Sequence, residues 1–412
     1  MTSKIIVNNI EADTGINTVT FNDAISSNTV RGNVIGDITS SGTSTFDVIS
    51  GVSTIGVTTV HLTGINDLNY PTVGPLSNRN LIVNGAMRIS QRGTSTTGIN
   101  DLTTVYTTVD RGYHAFNGLG TWTSTQESDG PNGFTKSWKV NCTSPDPSPI
   151  TNDYAILVYR VEAQDLQVLE YGTSNAQTTT FSFYVKSNKT GSASIEFAQM
   201  DNSQKQYITT YTINSANTWE YKTITIPGDA SGVINDDNGT GVQIAWWLNS
   251  GPHYSGDDSL NVWEAANDDA RNNTNLGLGG TANDYFQITG IQWELGSQST
   301  PFEHRSYSYE LARCQRYYEI IAHWYGGGND YGTIWSKPLN TFTNCWTDVR
   351  FKVTKRAPDY DFGLLGSTAW VGTTPTVHND GVDAIVFQGS AHYYLNGGSS
   401  SARDMAYVES EL

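Results

Sequence analysis

Residues 288–318, ITGIQWELGSQSTPFEHRSYSYELARCQRYY, carry two periodicities back to back. Ile288, Ile291, Trp293 and Leu295 follow an alternating pattern interrupted at Gly290, as expected of a half-buried strand with a local kink or bulge. Gly296 to Pro301 break the ladder, because Gly, Ser and Pro continue it poorly. Beyond Arg305 the period lengthens: Tyr307, Leu311, Cys314 and Tyr318 fall on one face of a helix. Ser306 or Ser308 is placed to cap it, and Glu310 suits the positive end of its dipole. A strand therefore closes one unit here and a short helix opens the next.

Working outward in both directions, the rest of the chain reads as strands and turns. Of 412 residues, 40 are Gly and only 37% are hydrophobic, with 11 Trp and 22 Tyr to fill thin cores. Alternation marks Trp138, Val140 and Cys142, then 155–160 (AILVYR), 180–186 (TFSFYVK), 193–199 and 206–213. In 217–228 (NTWEYKTITIPG), Trp219, Tyr221, Thr223 and Thr225 share one face, and 242–248 (VQIAWWL) follows. Eight to ten strands with turns between them imply a two-sheet sandwich. Residues 69–75 (NYPTVGP) form a linker. Before it, residues 1–75 are β-prone but aromatic-poor, so a single copy cannot bury a core and would need to wrap with its own copies. The expected fold is predominantly all-β: a strand-rich segment over 1–75, a β-sandwich over 76–305, and a small β-rich or α+β unit with one short helix over 306–412.

The net charge of −17 argues against a nucleic-acid partner and against anionic lipid. Cys142, Cys314 and Cys345 are too few and scattered for a disulfide framework or zinc site. MTSKIIVNNIEAD lacks the apolar run of a secretory signal, and no window reaches the ~18 apolar residues of a membrane span. No G-x-S-x-G, H-E-x-x-H, P-loop or C-x-x-C is present, so the chain is expected not to be an enzyme and to need no cofactor.

The stretch IQWELGSQSTPFEHRSYSYELARCQRYYE resembles the end of the jelly-roll portion in bacteriophage and prophage tail-fibre proteins, where T-P-F-E-x-R leads into a helix ending C-Q-R-Y-Y. Residues 80–93 (NLIVNGAMRISQRG) resemble the opening strand of the same jelly roll, and 109–113 (VDRGY) its following element. The order F-S-F-Y-V-K, then T-W-x-Y-x-T-I-x-I-P-G, then a Trp-rich strand is similar to carbohydrate-binding modules. Residues 1–75 resemble amino-terminal portions of fibres from phages of marine cyanobacteria. The resemblance implies a homotrimeric virion fibre, assembled in the host cytoplasm, joined through 1–75 to other tail proteins and presenting sandwich domains to a host-surface glycan. A capsid- or neck-attached fibre and a secreted carbohydrate-binding module are the alternatives. Many such modules place an Asp pair for calcium on the closing strand; here Gln287 to Gln292 offer none, and Asp236-Asp237 and Asp257-Asp258 lack EF-hand spacing, so no metal is expected.

A pyranose face stacks on an exposed Trp or Tyr while polar neighbours fix its hydroxyls. Trp246 and Trp247 are adjacent in a strand, so they point to opposite faces and one must leave the core. The long segment that follows brings His253, Tyr254 and Trp263, and these five are the first candidate glycan contacts. Trp324, Tyr325, Tyr331 and Trp335, around Gly326 to Asp330, are the second.

Overall fold

The computed structural model describes residues 74–75, 77–100, 106–201, 205–256, 260–323, 335–336, 345–364, 369–372, 374–389, 393–396 and 404–412. The amino-terminal segment but for Gly74 and Pro75, the Asp257-Asp258 pair, and Trp324, Tyr325 and Tyr331 lie outside these residues; Trp335 is described in its backbone alone.

Twelve strands build the sandwich: β1 Ser95–Ile99, β2 Gly112–Asn117, β3 Thr121–Glu127, β4 Ser137–Ser144, β5 Tyr154–Glu162, β6 Thr179–Ser187, β7 Gly191–Gln199, β8 Lys205–Ile213, β9 Glu220–Ile226, β10 Thr240–Ser250, β11 Trp263–Ala265 and β12 Tyr285–Leu295. They form two six-stranded antiparallel sheets, β1-β3-β4-β12-β6-β9 and β11-β8-β7-β10-β5-β2. Alternation sends Phe181, Phe183 and Val185 of β6 inward, against Phe197 and Trp246 of the facing sheet. Phe181 sits 5.1 Å from Phe197 and 5.7 Å from Trp246, centroid to centroid, with the first pair edge to face. Trp122, Trp138, Phe286 and Trp293 are buried in the same core. The expected all-β sandwich is what forms.

Residues 80–93 form no strand, although they were expected to open the sheet. Two asparagine side chains replace the ladder. Asn80 accepts from the backbone N–H groups of Ile82 and Trp293 and donates to the Ile291 carbonyl. Asn84 accepts from Ile89 N–H and donates to the carbonyls of Ile89 and Asp110. The segment is thereby laced along β12.

The helix α1 spans Tyr307–Gln315, with Ser306 at its cap accepting from Tyr309 N–H. Leu311 and Cys314 pack on Val83 and Ile89. Tyr307 instead faces solvent beside Arg88, and Tyr318, expected on the helix, begins a strand. The helix ends three residues earlier than the period suggests, because the Ser410 N–H bonds the Tyr317 carbonyl and starts a new ladder.

Beyond it lie β13 Tyr318–His323, β14 Trp335–Ser336, β15 Cys345–Arg350, β16 Asp361–Leu364, β17 Ala369–Gly372, β18 Thr376–Asp380, β19 Ala384–Gly389, β20 Tyr393–Asn396 and β21 Asp404–Glu409. They pair as β13-β21-β16, β14-β20-β17 and β15-β19-β18 around Ile385, Phe387, Leu395 and Val408. Residues 64–412 form one compact unit. Where the carboxy-terminal strands meet the sandwich the contact is ionic: Arg111 pairs with Glu411, Arg92 with Glu411 at 2.9 Å and with Glu409 at 3.2 Å, and Arg316 with Glu162 at 2.5 Å. Within the small unit Lys355 and Glu319, both buried, pair at 2.6 Å. Among the described residues no helix is long and apolar enough to cross a membrane.

Candidate functional site

The first five candidates do not assemble into an exposed platform. Trp246 and Trp247 do point to opposite faces, but neither presents a ring to solvent. Trp246 is wholly within the main core. Trp247 leaves that core and is roofed by Tyr254 at 5.1 Å, in a second cluster with Tyr113, Ile156 and Val158. Its indole N–H donates to Glu196 at 3.0 Å, and Glu196 is paired with Arg271 at 3.0 Å. Burial pushes the Glu196 carboxyl up, against the pull of Arg271 and the Trp247 hydrogen bond. His253 lies beside Asp268 and Asp269 at 3.4 and 3.8 Å. Trp263 packs edge-on to Tyr171 from the edge strand β11, its N–H given to the Pro227 carbonyl at 2.7 Å. The local alternation is as expected; the cover over Trp247 is Tyr254, from the segment just past β10.

A groove of about 650 Å³ lies instead on the outer face of the first sheet. Its floor is built by cross-strand pairs between β6 and β9: Thr180 opposite Thr225, Ser182 opposite Thr223, and Tyr184 opposite Tyr221. Successive rows on one face are about 7 Å apart. The Tyr184 and Tyr221 rings stand 4.8 Å apart, Phe134 is 5.4 Å from Tyr184, and Phe302 is 4.9 Å from Phe134. Ser297, Gln298, Ser299 and Thr300 form a polar wall, and His304 closes the aromatic end. Burial and the neighbouring Arg88 hold His304 below the usual histidine range. Among the described residues no Asp, Glu, Lys or Arg lines the groove.

Two buried or half-buried carboxylates fix the walls. Glu294 of β12 accepts from Thr300 N–H at 2.8 Å and from its hydroxyl at 2.6 Å, while Arg79 pairs with Glu294 at 3.2 Å. Asp129 accepts from Lys186 at 2.8 Å, Gln287 at 3.2 Å and Trp219 at 3.3 Å, pinning the loop that carries Phe134. Burial pushes the Asp129 carboxyl up, but those donors outweigh it and leave it below the ordinary value. Gln287 also donates to Ser137 at 2.6 Å. Among the described residues no group of three or more His, Cys, Asp or Glu is placed to share a metal.

Gly290 makes the aromatic end possible. The β12–β6 register shifts between Thr289 and Gln292, the bulge expected from the sequence, and Gly290 there has φ of 63°. A Cβ at that position would lie 2.8 Å from Phe134 and 2.9 Å from Tyr184. Gly290→Ala is therefore expected to displace both rings and to cost about 1–3 kcal/mol from positive-φ strain and crowding. Thermal unfolding measures this, and a Tm within 1 °C of the parent would exclude a tight shelf.

No family model matches the chain, and no curated protein matches it. Among solved structures it is similar to the enzymatically active domain of tailspike protein 4 of bacteriophage CBA120, at 12% identity and a TM-score of 0.28, over 53% of this chain and 21% of that one. The chain thus spans about a fifth of that tailspike structure. It is also similar to the family 11 carbohydrate-binding module of a cellulosomal cellulase of Clostridium thermocellum, at 14% identity and a TM-score of 0.25, over 51% of this chain and 98% of that one. A third is a sugar-binding protein from Bacteroides thetaiotaomicron, described as such without proof of its ligand, at 11% identity and a TM-score of 0.29, over 53% and 100%.

Proposed function

We propose that this chain is a binding protein that holds an uncharged saccharide in the groove over β6 and β9. One observation carries the reading: two tyrosines and four hydroxyl side chains stand in facing rows, with no ionised side chain lining the groove. Tyrosine faces take the C–H side of a pyranose, and hydroxyls and amides exchange hydrogen bonds with its hydroxyls. A groove of this size accommodates a short run of sugar units rather than one. Tyr221, 43% exposed at the edge strand, is the ring most available for stacking.

Tyr221→Ala is expected to weaken binding of neutral polysaccharide by about 5- to 100-fold, the ~1–3 kcal/mol of one stacked ring. Because the ring is exposed, Tm should move by less than ~3 °C. Affinity electrophoresis through neutral polysaccharides reads the first and calorimetry the second. Unchanged retardation would remove the groove from consideration.

We further propose that this protein is a trimeric fibre of a phage virion, docked through residues 1–75 and facing a host glycan. The residues of 288–318 and 80–93 that resemble phage fibres support it. Three-fold display would let weak single sites hold a cell. Mass spectrometry of purified virions tests the location, and light scattering showing a stable monomer would count against the trimer.

A further inference from the structure

We propose that the outward face of the β15-β19-β18 sheet is a second saccharide contact, with a pyranose ring stacked on Trp346. The inward residues of this sheet, Ile385, Phe387, Val349 and Val377, belong to the carboxy-terminal core. Trp346 projects from the opposite face by strand alternation and is 58% exposed, so packing among the described residues does not account for it. The register places Trp346, Gln388 and Thr376 in one row across three strands, and Asp348, Val386 and His378 in the next. The His378 ring stacks on the Trp346 ring with centroids 5.7 Å apart at 30°, which helps to hold the indole in place. His378 Nε2 and Gln388 Oε1 are 3.1 Å apart, a hydrogen bond that holds the imidazole and orients the amide beside the indole.

The make-up of the face selects the occupant. A protein partner needs ~800 Å² per side with an apolar centre. Here one indole and the half-buried Val386 stand among Asp348, Arg350, Thr376, His378 and Gln388, and Asp348 and Arg350 pair with each other at 2.9 Å. One flat ring rimmed by hydroxyl, amide, imidazole and carboxylate matches a single sugar unit: C–H groups for the face and hydroxyls for the edge. The contact shares no residue with the groove, so a polysaccharide long enough to reach both would be held at two points.

The test is affinity electrophoresis of the full chain, with Trp346→Ala, Trp346→Phe, Tyr221→Ala and the Trp346→Ala/Tyr221→Ala pair, through gels containing a β-glucan, a mannan or a galactan. On a polysaccharide that retards the parent, Trp346→Ala should weaken binding about 5- to 50-fold, Trp346→Phe less, and the pair more than either change alone. Tm of Trp346→Ala should stay within a few degrees of the parent. Parental retardation of Trp346→Ala, or no retardation of the parent by any of the three, overturns the proposal. A lower sedimentation coefficient for Trp346→Ala would overturn it too, by making this face a contact between copies of the chain. Loss in Tyr221→Ala alone would leave the groove as the single site.

Discussion

Replacing Glu411 by alanine should lower the stability of the compact unit by about 3–5 kcal/mol, the usual result of removing one partner from a buried ionic group. Arg111 is buried, with its guanidinium 3.5 Å from the centre of the Tyr317 ring, and it donates to Glu411 and to the Arg160 carbonyl. Arg92 lies 3.9 Å over Tyr318, with Glu411 at 2.9 Å and Asp110 at 4.0 Å. Without Glu411, Arg111 loses its only carboxylate among the described residues, while Arg92 keeps the more exposed Glu409. Glu409→Ala should therefore cost only about 1 kcal/mol. Urea unfolding at pH 7 separates the two, and a loss below 1 kcal/mol for Glu411→Ala would show that water reaches Arg111.

The second large effect is a response to acid. His114 is fully buried beside Phe116, neither ring nitrogen has a hydrogen-bond partner among the described residues, and burial lowers its pKa to about 4. An unfolded chain titrates the same group near ~6.5. The neutral imidazole therefore supports the fold fully above pH ~6.5, and that support is lost as pH falls from there toward 4, where the unfolded chain binds the extra proton. Between pH 7.5 and 4.5 the loss is about 2.5 kcal/mol. His114→Leu, close in volume, should abolish this share of the slope. Other buried acids titrate in the same interval, so the quantity to measure is the stability difference between variant and parent at each pH. A difference independent of pH would mean that His114 ionises in place.

The fold was largely legible because strand alternation is local. The inward triplet Phe181, Phe183, Val185 and the kink at Gly290 both follow from neighbouring residues. The outward set Tyr221, Thr223, Thr225 was equally visible as a face. What it faces was not: the opposite row comes from β6, Phe134 from a loop near residue 130, and the wall from 297–300, brought together only by sheet order. Trp247 failed as an exposed candidate because Tyr254, just past β10, folds back over it, while Glu196 takes its indole N–H and is itself held by Arg271. The strand expected over 80–93 failed differently. Its asparagines bond backbone groups in place of a ladder, a substitution that composition does not reveal.

The Arg111–Glu411 pair spans 300 residues and the Arg92–Glu411 pair 319. At ~5–20 residues per second, a ribosome needs roughly 15–60 s after making Arg111 to deliver Glu411. Through that interval the two arginines have no Glu411 to meet, and their pocket must remain open to water or be held by something else. The nascent sandwich would therefore acquire this closure only after residue 411 has been made. A chain stalled before Glu411 should expose those arginines without that partner, which offers cellular quality control a direct mark to recognise.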